Sequence, residues 1–317
     1  MNTRPPNRDP MPDLDRLLQE ANELLAEAGL PLCQPLQAVD DPDTANPTVL
    51  GLAGETRYVI KVCTRYPDTQ VTQARLANEV ARVTGLPIPR HYAAPQAEDR
   101  LPLLIMQWMP GEQLRLLLPA LEADAAGALA QDWGRCVGTF HQADIDDAPP
   151  SDDPAASGQG LHRRMQHDLD ELLDRHAVSE TQAKAVRVWL QSRAAAVQRP
   201  VLAGVTKSDL DVRDFLGLAQ PRPHISAMLD WESVRPGECL WNLASICIRL
   251  HLMNLERLWP DFLLGYDSAG TFRWRQSAAS EYYLAARIII ASATGQLIAL
   301  RLLDSLLVGL EWAFPGE

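Results

Sequence analysis

Apolar and polar positions follow two different periods along the chain, and the change of period divides it near Pro110. Before that residue, the apolar runs TVLGLAG and RYVIKVC flank a short turn and predict a strand pair, and LPLLIMQWM predicts another buried strand. Helical spacing is found within PDLDRLLQEANELLAEAGL and again within VTQARLANEVARVTGL, where Leu76, Val80 and Val83 form one stripe. This part is therefore predicted to be strand-rich, with one helix before the strands and one between them.

After Pro110 the spacing becomes mainly helical. LEADAAGALAQDWGRCVGTFHQA, the segment from LHRRMQ to RAAAV, and the chain from Leu240 onward are helical, whereas FLGLA and HISAMLD are short strands. The pattern predicts an α+β fold of two lobes. A small β-rich lobe takes residues 1–109, a large α-helical lobe takes residues 110–317, and a hinge lies at Gln107–Gly111.

Composition limits the classes of function. The net charge of −12 argues against a nucleic-acid partner and is compatible with a cationic small molecule. The N-terminus lacks an apolar segment, and Arg301 and Asp304 interrupt the most apolar window, so no membrane span is predicted. Five cysteines without a C-x-x-C pair favour reduced core thiols. Together these features predict a cytoplasmic protein.

Lys61 is the first candidate for chemistry, because it stands in the middle of the apolar run YVIKVC. A buried ammonium needs a partner, and Glu79 on the following helix is the candidate. A strand lysine held by a helix glutamate contacts nucleotide phosphates in kinases, and the linker backbone of Gln107 and Met109 could bond an adenine edge. The alternatives are an edge-strand lysine facing water, a surface glutamate and an ordinary Pro-Gly turn.

The stretch KSDLDVRDFLGLAQPRPHISAMLDWES is more specific. It places Asp209, then Asp214, then two apolar runs separated by a turn, then Asp230. A proton acceptor beside a substrate hydroxyl, with two oxygen ligands converging on Mg²⁺, requires this layout. A hairpin with acidic caps is the alternative, and it would require no role for Lys61 or Glu79. Because all of these elements occur in order in one chain, a site for phosphoryl transfer is the favoured interpretation.

These segments resemble the aminoglycoside phosphotransferase and choline kinase family, a small-molecule branch of the protein-kinase-like fold. The family pattern H-G-D-x-x-x-x-N followed by I-D-W-E corresponds to KSDLDVRDFL and LDWES in this chain. VLGLAGETRYVIKVC, LLIMQWMPGEQL and WGRCVGTFHQAD are similar to family strands, linker and helix. The resemblance runs from about Val49 to about Ala244 and implies a protein-kinase-like fold of two lobes.

The resemblance also implies residue roles. Asp209 would be the catalytic base, and Asp230 and Asp214 would bind Mg²⁺. Glu232 follows Asp230 closely and is a candidate substrate contact, with an exposed carboxylate at the end of a strand as the alternative. The residues implied to bind the nucleotide are Lys61, Glu79, Gln107 and Met109.

Three positions depart from the family pattern. Lys207 replaces its histidine, Asp214 its asparagine and Asn242 its usual aspartate. Asp214 adds a negative charge close in sequence to Asp209, and Lys207 could offset that charge. A degenerate enzyme would show the same departures.

The predicted function is transfer of the γ-phosphoryl group of ATP, with Mg²⁺, to a hydroxyl group of a small molecule. An aminoglycoside-like antibiotic is the acceptor that the family favours, and a cationic acceptor would suit the charge of the chain. GTP is an open alternative, because the linker contacts a base through backbone atoms. The competing functions are an inactive kinase-fold protein that binds a nucleotide or metabolite and regulates a partner, and a helical adaptor.

Overall fold

The computed structural model describes residues 11–39, 46–64, 69–94, 99–145, 158–198, 202–231, 233–270, 278–295 and 302. The chain divides into two compact units. Unit 1 comprises Met1–Gly111 and Ser226–Glu232, and unit 2 comprises Glu112–Ile225 and Ser233–Glu317. Within the described ranges, no helix is both long and apolar enough to cross a membrane. All five cysteines are free and buried, as predicted.

Unit 1 contains an antiparallel sheet and two helices. Its strands are β1 Gln34–Ala38, β2 Thr48–Ala53, β3 Thr56–Val62, β4 His91–Ala93 and β5 Leu103–Gln107, and its helices are α1 Leu14–Glu27 and α2 Gln70–Thr84. The strand order is β1-β2-β3-β5-β4. The predicted strand pair is confirmed as β2 and β3, and the predicted buried strand is confirmed as β5. The short strand β4 was not predicted.

Helix α1 forms where the sequence combines a cap with an apolar stripe. The side chain of Asp13 accepts hydrogen bonds from the first-turn amides of Asp15 and Arg16, both at 3.0 Å. The apolar stripe then buries Leu17 and Leu25 completely in the same cluster as the inner side chains of the sheet. This packing fixes the face of the sheet that forms the core of unit 1.

Helix α2 ends at Gly85, whose φ of 69° is in the left-handed region that glycine tolerates best. Leu76 and Val80 are buried as predicted. The prediction for Val83 is wrong, because its side chain is 40% exposed and the buried stripe runs through Ala77 instead.

Unit 2 is mainly helical, as predicted. Its helices are α3 Leu114–Ala120, α4 Ala123–His141, α5 Gly158–Asp174, α6 Glu180–Arg193, α7 Leu240–Leu252, α8 Trp259–Ser268 and α9 Ala278–Ala293. Its strands are β6 Glu112–Gln113, β7 Ala203–Lys207, β8 Phe215–Leu218 and β10 Val234–Glu238. Strand β9, His224–Met228, includes the boundary between Ile225 of unit 2 and Ser226 of unit 1. Strands β8 and β9 are the predicted FLGLA and HISAMLD strands. The antiparallel pair of β7 and β10 was not predicted.

Helices α4 and α8 pack closely because both carry glycine at their contact. A side chain at Gly134 would overlap the carbonyl oxygen of Phe262, and one at Gly265 would overlap that of Gln131. The close contact holds the end of α4 in place, and His141 is the last residue of that helix. The fold of unit 2 therefore fixes a buried histidine whose contacts reach the end of β7.

Candidate active site

The loop after β7 brings together the acidic residues that the sequence singled out in unit 2. Strand β7 ends at Lys207, which is opposite Val234 of β10. A short 3-10 turn, Val212–Asp214, follows, and the side chain of Asp211 caps it by accepting from the Arg213 amide at 3.1 Å. Asp214 Oδ2 in turn accepts from the Asp211 amide at 2.8 Å. This reciprocal capping folds the loop back on itself.

Lys207 occupies the centre of the loop. Its Nζ donates to Asp209 Oδ1 at 2.8 Å and to Asp214 Oδ2 at 2.9 Å. The Lys207 side chain is 1% exposed, that of Asp214 is 9% exposed and that of Asp209 is 66% exposed. A buried ammonium is stable only when it is paired in this way. The contacts are those that the charge-offset hypothesis requires, with one cation between two carboxylates.

The surroundings of Asp209 favour its ionised form. Burial acts to raise the pKa of this carboxyl group, but the charge and hydrogen bond of Lys207 and the hydrogen bond from Ser233 Oγ outweigh burial and lower the pKa. Because the side chain remains 66% exposed, water screens part of the attraction to Lys207. Asp209 is thus an accessible carboxylate whose proton affinity is low.

Asn242 on α7 supports the backbone of Lys207. Its Oδ1 accepts from the Lys207 amide at 3.2 Å, and its Nδ2 donates to the Lys207 carbonyl oxygen at 2.5 Å. The same Oδ1 is 3.1 Å from His141 Nε2, and His141 Nδ1 is 2.8 Å from the hydroxyl group of Tyr266. A carboxylate at Asn242 could not donate to the Lys207 carbonyl oxygen, which explains this departure from the family pattern.

His141 is neutral in this network. Burial lowers the pKa of His141 to about 4, and the hydrogen bond to Asn242 offsets burial only in part. Since Asn242 Oδ1 is an acceptor, His141 Nε2 carries the proton and Nδ1 accepts from Tyr266. The sequence did not predict this network, whose members are far apart along the chain.

Lys61 and Asp230 form the second group, and both belong to unit 1. Lys61 Nζ is 3.9 Å from Asp230 Oδ1, too far for a hydrogen bond. The side chains are 19% and 39% exposed. Asp230 also has a φ of 60°, in the left-handed region that costs a residue with a side chain about 1 kcal/mol or more. Strained residues of this kind concentrate at functional sites, so the backbone strain supports the prediction that Asp230 has a functional role.

The predicted partner of Lys61 lies elsewhere. Glu79 is on α2 and pairs with Arg75 of the same helix at 3.5 Å. Among the residues described, no ion pair joins Lys61 to Glu79. A role for Glu79 in nucleotide binding stays a prediction. Glu232, the predicted substrate contact, lies outside the described residues.

The linker after β5 contains both predicted base contacts. The Gln107 amide donates to the Arg90 carbonyl oxygen at 2.9 Å, so this donor is already used. The Met109 amide has no hydrogen-bond acceptor within the part of the chain that the structure describes. A free backbone donor in a linker suits the edge of a purine base.

The two predicted Mg²⁺ ligands differ in how available they are. Asp214 Oδ2 is already committed to Lys207 and to the Asp211 amide, and a role for Asp214 as a metal ligand stays a prediction. The carboxylate of Asp230 is partly exposed. No cluster of three or more His, Cys, Asp or Glu side chains suited to a metal is found in the described ranges. Asp230 nevertheless fits Mg²⁺, because this ion is usually held by one or two carboxylates together with substrate phosphates.

Basic and aromatic side chains from α7 and α9 lie beside this loop in unit 2. Arg249 Nη2 donates to Asp211 Oδ2. The Arg287 guanidinium lies 4.7 Å from the centre of the Trp241 ring, and Trp241 Nε1 donates to the Ser208 carbonyl oxygen at 2.8 Å. The sequence analysis assigned no role to these residues, since helical spacing alone does not show which helices meet.

Comparison with known proteins identifies the family of the chain. The family model of the phosphotransferase enzyme family matches residues 39–279. No curated protein matches the chain.

Three solved structures illustrate the similarity of fold. The GDP complex of a mutant aminoglycoside 2′-phosphotransferase-IIIa is 11% identical, with a TM-score of 0.63 and coverage of 92% of this chain and 97% of that one. A spectinomycin phosphotransferase with ADP and spectinomycin is 12% identical, with a TM-score of 0.58 and coverage of 94% and 97%. A macrolide 2′-phosphotransferase from Brachybacterium faecium is 17% identical, with a TM-score of 0.55 and coverage of 95% and 98%. At these identities the likeness establishes the kinase-like fold alone, and that predicted fold is confirmed.

Proposed function

The chain belongs to the phosphotransferase enzyme family, and from this premise we propose that it transfers the γ-phosphoryl group of ATP to a hydroxyl group of a small molecule. The observation that carries the proposal is the accessible Asp209 carboxylate at the end of β7, held by the buried ammonium of Lys207. Catalysis of phosphoryl transfer depends mainly on positioning and on stabilising charge. A fixed and accessible carboxylate meets the first requirement.

In this proposal Asp209 accepts a hydrogen bond from the hydroxyl group of the acceptor and directs its oxygen at the phosphorus. Because Lys207 and Ser233 lower the pKa of Asp209, this carboxylate is a weak base. A weak base suits a loose transition state, in which the acceptor oxygen has bonded little to phosphorus and needs orientation more than early loss of its proton. The proton passes to Asp209 as the oxygen–phosphorus bond forms and the bond to the leaving diphosphate breaks.

Unit 1 supplies the proposed nucleotide contacts. Lys61 is 3.9 Å from Asp230, so its ammonium can turn to the phosphates of a nucleotide without breaking a close hydrogen bond to that carboxylate. The Met109 amide and the Gln107 carbonyl oxygen would bond the base edge. Backbone contacts discriminate weakly between purines, so GTP is an alternative donor. One solved relative holds ADP and another holds GDP.

Asp230 would hold Mg²⁺ together with the nucleotide phosphates, and the bound ion would neutralise charge on the transferred group. Lys207 contributes a further fixed positive charge beside Asp209 in unit 2. Because the Lys207 ammonium is paired with both carboxylates, it compensates part of the negative charge of Asp214 without an additional ion.

Replacing Asp209 by Asn tests the proposal. Transfer to acceptors, and the slower transfer to water, should fall by about 10²- to 10⁴-fold, because the amide no longer accepts the proton. Nucleotide affinity, measured by calorimetry, should remain within about twofold, since the proposed nucleotide contacts belong to unit 1. Asp144→Asn, an exposed substitution in the same unit with the same change of charge, is the matched control. Unchanged transfer in Asp209→Asn would refute the proposal.

The contacts of Asp209 also favour one alternative. Its Oδ1 accepts from both Lys207 and Ser233, so half of the carboxylate is already engaged. A protein locked in this arrangement would bind nucleotide without transferring phosphate and would act by regulating a partner. Tight nucleotide binding combined with transfer that is equal in wild type and Asp209→Asn would identify this alternative.

A further inference from the structure

Arg287 on α9 is a cation without an acidic partner. Its Nε is buried and has no hydrogen-bond partner, and its guanidinium makes no ion pair with any residue that the structure describes. Its contact is the face of Trp241, 4.7 Å from the ring centre. Buried guanidinium groups are normally paired, because leaving one unpaired costs stability. An arginine without an acidic partner among the described residues therefore indicates a site where an anion could bind.

The environment of Arg287 is itself cationic. Burial and the like charge of Arg249 lower the pKa of Arg287 to about 10, with a further lowering by Arg164 and partial offsets from Asp211 and Asp209. The group thus stays protonated at neutral pH. Arg249 and Arg164 already have carboxylates, Asp211 and Asp168 respectively. The guanidinium groups of Arg164 on α5 and Arg249 on α7 therefore both act on Arg287 of α9, and Arg287 is the member of the three that makes no ion pair with a carboxylate of the described residues.

This cluster belongs to the same unit as Asp209 and is connected to its loop. Trp241, which carries the guanidinium on its ring, donates from Nε1 to the carbonyl oxygen of Ser208, the residue immediately before Asp209. The charge of Asp209 also acts on Arg287. A molecule whose hydroxyl group contacts Asp209 would therefore experience the positive charge of Arg287.

We propose that the phosphoryl acceptor is a hydroxy compound with an oxyanion, a carboxylate being the first choice, which binds Arg287 while Asp209 orients the hydroxyl group. The proposal rests on the proposed phosphotransferase function and deepens it. A guanidinium binds a carboxylate through two parallel hydrogen bonds, and such a pair would give Arg287 the acidic partner that the described residues do not supply. A cationic acceptor, which the charge of the whole chain suggested, would be repelled by Arg287.

Matched acceptors provide the test. Glucuronate, glucose and glucosamine share a sugar ring and differ in bearing a carboxylate, no charge or an ammonium group; glycerate, glycerol and serinol form a second set. Wild-type protein with ATP and Mg²⁺ should favour the anionic member of at least one set by tenfold or more in kcat/KM. Inorganic phosphate and sulfate, added at constant ionic strength, test whether any oxyanion binds without a hydroxyl group. Preference for the neutral or cationic member in both sets would overturn the proposal.

The Arg287→Met variant tests whether the preference for an anionic acceptor depends on Arg287. It should raise KM for the anionic acceptor at least tenfold, leave KM for ATP unchanged, and leave the neutral acceptor unaffected. Arg287→Lys should recover part of the affinity, because it restores charge without the two-pronged geometry. Arg257→Met removes a cation from an exposed position of the same unit and should change nothing. An equal loss in Arg257→Met and Arg287→Met would overturn the assignment.

Binding without turnover separates this proposal from the proposed function. Thermal unfolding of the wild-type protein, without nucleotide, should shift upward with glucuronate or glycerate and not with the uncharged partners. If transfer is absent but this shift is present and is lost in Arg287→Met, the phosphotransferase proposal fails and the anion site stands. If ATP is turned over in an Asp209-dependent way but neither anion shifts unfolding nor is phosphorylated, the anion site fails and the phosphotransferase proposal stands.

Discussion

Two strand lysines, one in each unit, are held in opposite ways. Lys61, near the end of β3, is 19% exposed and 3.9 Å from the Asp230 carboxylate, which is 39% exposed. Lys207 at the end of β7 is 1% exposed and donates at 2.8 and 2.9 Å to two carboxylates. In addition, Asn242 fixes the backbone of Lys207 from both sides.

The difference separates a group placed for a ligand from one built into the protein. A loosely paired ammonium can exchange its carboxylate for a phosphate with little loss of stability. An ammonium buried between carboxylates cannot leave without exposing charges that the fold has removed from water. We therefore expect substitutions at Lys207 to affect folding and substitutions at Lys61 to affect binding.

The largest effect is expected for Lys207→Met. Removing this cation leaves the buried Asp214 carboxylate beside Asp209 without compensation, and the free energy of unfolding should fall by about 3–5 kcal/mol. Unfolding in urea at neutral pH measures the loss. Adding Asp214→Asn to Lys207→Met should restore much of the stability, since it removes the stranded charge. A loss below about 1 kcal/mol, or no recovery in the double variant, would contradict the picture of a clamped lysine.

The second-largest effect is expected from acid, which should lower the free energy of unfolding by protonating His141, whose partner Asn242 holds the backbone of Lys207. The pKa of His141 in the folded protein is about 4, below the usual 6.5, so its contribution to stability is present above about pH 6.5 and is lost as the pH falls toward 4. This histidine alone should cost about 2 kcal/mol between about pH 7 and pH 5.

The matching measurement in unit 1 uses His91, whose pKa is also lowered to about 4, mainly by burial. The difference in unfolding free energy between pH 7 and pH 5 should shrink in His141→Gln and in His91→Gln. If neither variant changes this pH dependence, the two histidines are not the groups that titrate.

The smallest effect on stability is expected for Lys61→Met. Its partly exposed ion pair with Asp230, at 3.9 Å, predicts a change in unfolding free energy below about 1 kcal/mol. Affinity for ATP, measured by calorimetry with Mg²⁺, should nevertheless fall about tenfold or more, because a charged contact to phosphate is lost. A Lys61→Met protein that is strongly destabilised but binds ATP normally would reverse the roles of the two lysines.

Local patterns in the sequence were sufficient for much of the fold. The runs around Lys61 predicted β2 and β3 because their alternation matches a sheet with one buried face. Gly85 predicted the end of α2 because glycine commonly follows the last turn of a helix, and the structure gives it the left-handed φ of 69°. The resemblance of KSDLDVRDFL to a family pattern located the loop that contains Asp209.

Contacts between distant elements were beyond sequence reasoning. Glu79 was expected to meet Lys61 because it lies beside the apolar stripe of the helix that follows β3, but its carboxylate pairs with Arg75, one turn earlier on the same helix. The arginine cluster depends on which faces of α5, α7 and α9 meet, and helical period does not specify this. The strand β10 was missed because VRPGE contains proline and glycine, which normally argue against a strand.

The assignment of Ser226–Glu232 to unit 1 has a consequence for the order in which the protein can fold. These residues complete unit 1 through hydrogen bonds from Met228 N to the Pro87 carbonyl oxygen at 2.9 Å and from Ser226 Oγ to that of Pro110 at 2.6 Å. During synthesis they emerge from the ribosome only after all of Glu112–Ile225. Unit 1 thus cannot be finished as an N-terminal piece, and a nascent chain stopped at Gly111 lacks Asp230. Unit 1 acquires Asp230 only after more than half of unit 2 has been made.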